Sequence, residues 1–442
     1  MMDSRSRWLV FVLIMLTIWL FPVEARADNV GLDLQSILDQ AESGQTIVLK
    51  AGTYEGPITI NKPLTLHVER EGSVKLHNSS SQPAVSISDD QVTISGLHII
   101  EEELKETPTL LVTSDQVVLE GLSIRTGSDG IVVRDANEGT VSNTTIIWAV
   151  KGVKRSDKGN GIDLLNAHRW KMTNNTIRGV HDGIYMENSD DVMISDNVIE
   201  RSRYGIHGMY TKRALIERNV GKHNVTGAMI MASRQASVIG NTFTKQSENV
   251  YSQGILLYDT HETIVADNTV DGNRVGFYVE ASTKNRLENN RISYNFIGIQ
   301  LLESSGNTMV GNQFIGNVAD SQAHGSENNA LSENYWDSFR GLDIDGNGKS
   351  DLSYAINPFF QGVAEKRPAF QLFFQSPGMV FLESLYQTER NYWATDTAPL
   401  MAPSDSRIQA KHPNDGVITG ILGFILLLCT GMIFFTMRRQ DT

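Results

Sequence analysis

The chain has 442 residues, with 51 Asp and Glu against 38 Lys and Arg, for a formal charge of -13. That balance argues against nucleic acid as a partner, because a phosphate backbone calls for a basic surface. The single cysteine, Cys429, rules out an internal disulfide, so stability has to come from burial and hydrogen bonding.

Residues 1–27 carry Arg5 and Arg7, an apolar run over 8–21, Pro22, and Ala25-Arg26-Ala27. This pattern predicts a secretory signal peptide cut after Ala27. The alternative, an uncleaved anchor, has an apolar run that is short for a bilayer. Residues 32–41 then read as a short amphipathic helix with Leu34, Ile37, Leu38 and Ala41 on one face, and "GTYEGPITINKPLTL" as the first strands.

From residue 160 onward the chain repeats. "NGIDLLNA", "DGIYMENS", "YGIHGMYT", "TGAMIMAS", "QGILLYDT", "VGFYVEAS" and "IGIQLLES" place glycines at 161, 183, 205, 227, 254, 276 and 298. The spacing is 22 residues with one step of 27. Asparagines 175, 197, 219, 241, 268, 290, 312 and 334 keep the same period and the same longer step. Two markers shifting together define a solenoid. Short β-rich runs separated by Gly and Asn leave no room for helices in such a repeat. The predicted fold is all-β: a right-handed parallel β-helix over residues 28–355, with an N-terminal capping helix and about ten coils. The asparagines are expected to stack in a ladder at a turn. The glycines are expected at turns of positive φ.

Two insertions break the period. One surrounds "KGVKRSDKGN" and places Lys151, Lys154, Arg155 and Lys158 together in an otherwise acidic protein. The other surrounds "KQSENVYSQ". Each is either a binding loop or a tolerated surface insertion; the basic loop favours an acidic partner.

After each glycine the side chains alternate in direction. The first and third positions are apolar or small and point inward. The second and fourth point outward, so His207, Met209, Met229 and Met231 should form one exposed square on adjacent coils, with Leu165, Tyr185 and Tyr258 nearby. Thioether and imidazole donors suit Cu(I). The same square also serves as an adaptable apolar docking patch for a protein partner, with Tyr185 and Tyr258 as contacts. Further on, "DIDGNGKSD" spaces Asp343, Asp345, Asn347 and Asp351 like the first part of a calcium loop. Tyr354 stands where the bidentate Glu is expected, so a plain Asp/Gly turn is the competing reading.

Residues 356–415 form a tail outside the repeat. Ser376-Pro377 can start a helix there, with Met379, Phe381, Leu382 and Leu385 as its apolar positions. Residues 416–438 read as a transmembrane helix, since 417–437 carry no charge. Arg438 and Arg439 place the last residues, 439–442, in the cytoplasm and the body outside the inner membrane.

At "ENYWDSFRGLDIDGNGKSD", coupled to the upstream repeat, the chain resembles the NosD family. The likeness continues through "FQLFFQSPGMVFLESL" and "TAPLMAP" and spans residues 30 to 403. The C-terminal membrane helix departs from the purely periplasmic form of that family. The resemblance implies a non-enzymatic, periplasmic role in assembling the copper centre of nitrous oxide reductase. It implies an ABC transporter permease with its ATPase, a copper chaperone lipoprotein and the reductase as partners. The alternatives are a carbohydrate-active β-helix enzyme (polysaccharide lyase or uronate epimerase) and a sugar-binding surface protein. For such an enzyme Asp163 and Asp182 are the available carboxylates, but the sequence offers no evident Arg or Lys base on the next coils, and the "DPHD" pattern of the epimerases is missing.

Overall fold

The computed structural model describes residues 32–70, 72–246, 252–373, 376–387 and 390–404. The expected signal peptide (1–27), membrane helix (416–438) and cytoplasmic tail (439–442) lie outside the described residues. Among the described residues no helix is long and apolar enough to cross a membrane.

Each repeat supplies three short strands. In one coil these are Ile184–Glu187, Met193–Ser195 and Val198–Glu200, after which Tyr204–Met209 returns to lie beside Ile184–Glu187. The chain thereby winds a right-handed parallel β-helix. Within the described residues it builds three sheets, of fourteen, twelve and fifteen strands. That is more than the ten coils expected, because strands continue upstream through residues 45–148, where the glycine marker survives only at Gly130.

Alternation drives the winding. Ile162, Ile184, Ile206, Ala228, Ile255, Phe277 and Ile299 stack at one register position of the twelve-stranded sheet, and all are buried. They belong to one continuous core running from Leu34 to Ala394. Burying such side chains contributes roughly 1.5–3 kcal/mol each; with no disulfide, this is the main source of stability.

The repeat glycines have a different cause from the one expected. None of the seven adopts positive φ. They sit where successive coils nearly touch: a Cβ on Gly183 would stand 2.5 Å from the carbonyl oxygen of Gly205 and 2.4 Å from Ile199 Cγ2. The left-handed turn positions are occupied by other residues at the same period, such as Asn188, Tyr210 and Ala232.

The asparagine ladder forms as expected. Asn197 Nδ2 donates to Asn219 Oδ1 at 2.9 Å, and Asn219 Nδ2 to Asn241 Oδ1 at 3.0 Å. Each Oδ1 also accepts the backbone N–H of the preceding asparagine, as Asn219 Oδ1 does from Asn197 N at 3.0 Å. Two shorter ladders run through Asn224, Gln246, Asn273, Asn295 and Asn317, and through Asn285, Asn307 and Asn329. Backbone groups in the turns that the sheets leave unpaired are satisfied this way.

Both ends are covered. Helix α1 (Leu34–Gln40) buries Leu34 and Leu38 against the first coil, and Asp33 caps it by accepting from Ser36 N at 3.1 Å; Ile37 stays exposed. At the far end the tail returns as a strand, Thr395–Asp396, beside Ala330–Ser332. Asp396 Oδ2 accepts from Asn334 Nδ2 at 2.9 Å and from Trp336 Nε1 at 3.0 Å, closing the ladder with a carboxylate. Helices α2 (Phe359–Lys366) and α3 (Pro377–Leu385) lie between. Ser376 caps α3 as expected, but only Met379 of its apolar positions is buried; Val380, Phe381, Leu382 and Leu385 are exposed.

Candidate functional site

The outward face of the twelve-stranded sheet carries the predicted square. Asp163, Tyr185, His207, Met229 and Leu256 are register neighbours along one row; Glu187, Met209, Met231 and Tyr258 form the next. His207 is therefore beside Met229, and Met209 beside Met231. The adjacency holds, but the exposure does not. His207 is only 5% exposed, and the three methionines are half-buried.

The cover over His207 comes from rings and charges on its own and neighbouring coils. The Tyr185 ring lies 5.0 Å away and the Tyr204 ring 4.7 Å. His207 Nδ1 is 2.9 Å from Asp182 Oδ2. Asp182, itself 1% exposed, accepts two bonds from Arg203, Nε to Oδ1 at 2.9 Å and Nη2 to Oδ2 at 2.6 Å. Arg203 also covers the Tyr204 ring at 4.4 Å. Burial pushes the Asp182 carboxyl upward, but hydrogen bonds from Arg203 and His207 more than offset it and hold its pKa at about 2. It is therefore ionised at neutral pH and only accepts, so Nδ1 of His207 must be the donor. The other ring nitrogen, Nε2, is buried and has no hydrogen-bond partner among the described residues.

The sequence offered no evident basic residue on the coils next to Asp182. The basic partner exists. Arg203 follows Asp182 by 21 residues, so the period alone would have set it one coil on. Asp163 is likewise engaged, by Arg134 Nη1 at 2.6 Å and Asn160 Nδ2 at 2.7 Å. Tyr185 donates to Glu187 Oε2 at 2.6 Å, and its hydroxyl stands 3.6 Å from Met209 Sδ. Burial and then the bond to Glu187 raise its pKa.

The basic loop divides. Lys151, Lys154 and Arg155 are exposed, and Arg155–Asp157 forms a 3₁₀ turn. Lys158 instead turns back onto the scaffold: its ammonium donates to Gly179 O at 2.5 Å and lies 5.3 Å from the Trp148 ring centre. Arg155 reaches a cleft shared with His181, Arg203, Tyr204 and Leu256, beside the buried histidine. Tyr258, next to Met231, is exposed.

In the acidic loop, Asp343, Asp345 and Asp351 converge within 4.8 Å. Their oxygens are largely taken by the turn itself. Asp343 accepts from Gly346 N at 2.7 Å and Gly348 N at 2.9 Å, Asp351 from Ile344 N at 2.7 Å, and Asp345 from Asn347 Nδ2 at 2.8 Å. Those backbone bonds, led by Gly348, lower the Asp343 pKa.

Residues 149–348, which contain the whole square and the basic loop, match the family described as periplasmic copper-binding protein (NosD). A probable ABC transporter binding protein NosD of Stutzerimonas stutzeri is 27% identical over 393 residues, covering 82% of this chain and 88% of the relative. One of the same description from Pseudomonas aeruginosa is 28% identical over 418 residues, covering 88% and 94%. The chain is similar to NosD proteins over most of its length. Solved structures share the winding of this chain but little of its sequence. The A-module of the mannuronan C-5 epimerase AlgE6 from Azotobacter vinelandii aligns at TM-score 0.52 and 13% identity, over 68% of this chain and 96% of that one. A family 28 exopolygalacturonase of Yersinia enterocolitica aligns at 0.51 and 12%, over 68% and 76%. At that identity the likeness speaks for the fold alone.

Proposed function

We propose that this protein is a periplasmic, non-enzymatic accessory factor that works with an ABC transporter to assemble the copper centre of nitrous oxide reductase. The observation that carries the reading is the soft-donor row, His207 with Met209, Met229 and Met231, inside the stretch that matches a copper-binding family. The relatives that span most of the chain are named as transporter binding proteins, which favours this role over a carbohydrate-active enzyme.

In this reading the β-helix is a rigid platform. Its outward methionines handle copper delivered by a chaperone lipoprotein, and the exposed Lys151, Lys154 and Arg155 meet an acidic surface of the chaperone or reductase. Tyr185 and Tyr258 frame the same face. The tail has a separate task. Phe373, Val380, Phe381, Leu382 and Leu385 leave apolar surface open beside the end of the solenoid. Residues 405–416 separate the described tail from the apolar stretch 417–437, the proposed inner-membrane anchor. A helix held that close to the bilayer fits the transporter permease, which couples the platform to the ATPase. The proposed signal peptide, 1–27, delivers the chain to the periplasm.

The test is a deletion strain. The reading expects reductase that is exported at normal levels but lacks copper. Fully copper-loaded, active reductase in that strain rejects the maturation role.

A further inference from the structure

The two insertions that break the period meet at one place. The first supplies Arg155 and Ser156, and the second, "KQSENVYSQ", ends at Gln253. All three line a cleft of about 500 Å³, a volume within the range of small-ligand sites. Register sets its floor: Tyr204, Thr226 and Gln253 are neighbours on three successive coils, each standing just before a repeat glycine. His181, Arg203 and Val225 stand one place earlier on their coils and also line it.

The chemistry of this lining is one-sided. The protein carries a charge of -13, yet no Asp or Glu lines the cleft. Unused donors do. Arg155 is exposed and forms no ion pair among the described residues. Arg203 Nη1 and the Tyr204 hydroxyl make no hydrogen bond among them either. Gln253 Oε1 accepts from Thr226 Oγ1 at 2.7 Å, which fixes the amide and leaves its Nε2 hydrogens to donate. Such a set offers hydrogens and few lone pairs, so it suits a ligand that only accepts.

The charge count narrows the class. Arg203 is neutralised by Asp182, and Lys158 turns away onto Gly179 O and the Trp148 ring. Burial depresses the His181 pKa, so its imidazole is neutral at pH 7. One uncompensated guanidinium, that of Arg155, remains in the lining, and it matches a monoanion better than a dianion. Val225, Leu256 and the Tyr204 ring add an apolar wall, which suits a carbon stem behind the charge.

We infer that this cleft is a receptor for one carboxylate on a short aliphatic stem, held by Arg155 with hydrogen bonds from Tyr204 and Gln253. A free organic acid and a glutamate side chain of a partner protein both present that group. Leu256 is the register neighbour of Met229, so an acid seated here lies at the margin of the outward face. The inference deepens the acidic-partner reading of the basic loop, but the site itself is tested on the purified protein and needs neither copper nor reductase.

The full-length protein in detergent micelles is titrated with butyrate, butyramide and inorganic phosphate, and binding is read by ligand-observed NMR for the organic probes and by competition against butyrate for phosphate. Saturable binding of butyrate is expected, with butyramide weaker by at least about tenfold because it lacks the charge that Arg155 meets. Phosphate should bind no more tightly than butyrate. Arg155→Gln lies on an exposed loop and should weaken butyrate by at least about tenfold, whereas Lys151→Gln, outside the lining, should stay within about twofold. Butyramide binding as well as butyrate, phosphate binding more tightly, or unchanged affinity in Arg155→Gln overturns the site. A second arm assigns the source of the carboxylate. Purified nitrous oxide reductase is bound to the immobilised protein and challenged with butyrate or butyramide. Release by butyrate alone identifies a side chain of the reductase as the ligand. Reductase that does not bind, or is not released, beside Arg155-dependent butyrate binding identifies a free acid and leaves the site standing.

Discussion

Removing one rung of the asparagine ladder tests how the coils are held together. Asn219 is 1% exposed and takes part in four side-chain hydrogen bonds. It accepts from Asn197 N at 3.0 Å and from Asn197 Nδ2 at 2.9 Å, and it donates to Ile194 O at 2.8 Å and Asn241 Oδ1 at 3.0 Å. In Asn219→Ala, Asn197 Nδ2 keeps Met172 O and Ser195 O, and Asn241 Oδ1 keeps the backbone N–H of residue 219. One group loses its bond without replacement, Asn197 N; Ile194 O lies in a strand paired with Leu215–Glu217 and loses only its side-chain donor. At about 1–3 kcal/mol for an unsatisfied buried group, the loss is about 1–3 kcal/mol. Asn219→Asp is expected to be worse at neutral pH. It keeps the acceptor but turns a second carboxylate oxygen toward Ile194 O and Asn241 Oδ1. Its penalty should shrink in acid, where a protonated carboxyl can donate. Asp396 tolerates the end of the ladder because it only has to accept. Urea unfolding followed by circular dichroism, with hydrogen exchange over residues 192–224, reads the effect. The exposed pair Gln235–Glu262 is the control, and Gln235→Ala should stay within about 0.5 kcal/mol. An Asn219→Ala protein as stable as that control would refute the ladder as a source of cohesion.

Gly183→Ala places a methyl 2.4 Å from Ile199 Cγ2 and 2.5 Å from a backbone oxygen, so the two coils must part; a loss of at least about 1–3 kcal/mol is expected in the same unfolding assay. Asp396→Ala strips the acceptor from Asn334 and Trp336 and should cost about 2–4 kcal/mol, with the tail becoming sensitive to limited proteolysis. The Asp182 pKa is depressed from 3.8 to about 2, so its charged form stabilises the fold above pH 3.8 and that contribution is lost as pH falls through about 2. The stability gap between wild type and Asp182→Asn should therefore narrow by about 2 kcal/mol between pH 5 and pH 2, as read by denaturant titration at each pH; a gap that does not change with pH removes the ion pair from the account.

The winding was legible because its cause is periodic. Inward apolar pairs, glycines and asparagines recur every 22 residues, and each marks a contact that every coil must make. The reason for the glycines was misassigned, since close approach between coils and positive φ leave the same trace in a single sequence. The site was half legible. Alternation and register put His207 beside Met229, but they carry no information on what covers an outward side chain. That depends on Tyr185 and Tyr204 leaning over the ring and on Arg203 reaching back to Asp182. The upstream coils were undercounted because residues 45–129 keep the alternation without the glycine marker, which starts at Gly130. Lys158 could not be told from its neighbours in a basic run, although only it folds onto Trp148.

The most direct measurement of the functional claim is the copper content of nitrous oxide reductase purified from strains carrying substitutions on this face. Met209, Met229 and Met231 changed together to leucine keep the apolar surface and remove the sulfur; changed together to glutamate, they remove both. The account predicts exported reductase with its copper greatly reduced in the leucine strain and nearly absent in the glutamate strain. Full copper in the leucine strain with loss only in the glutamate strain would make the face a docking patch without a copper role. Full copper in both would contradict the claim that this face serves the reductase at all.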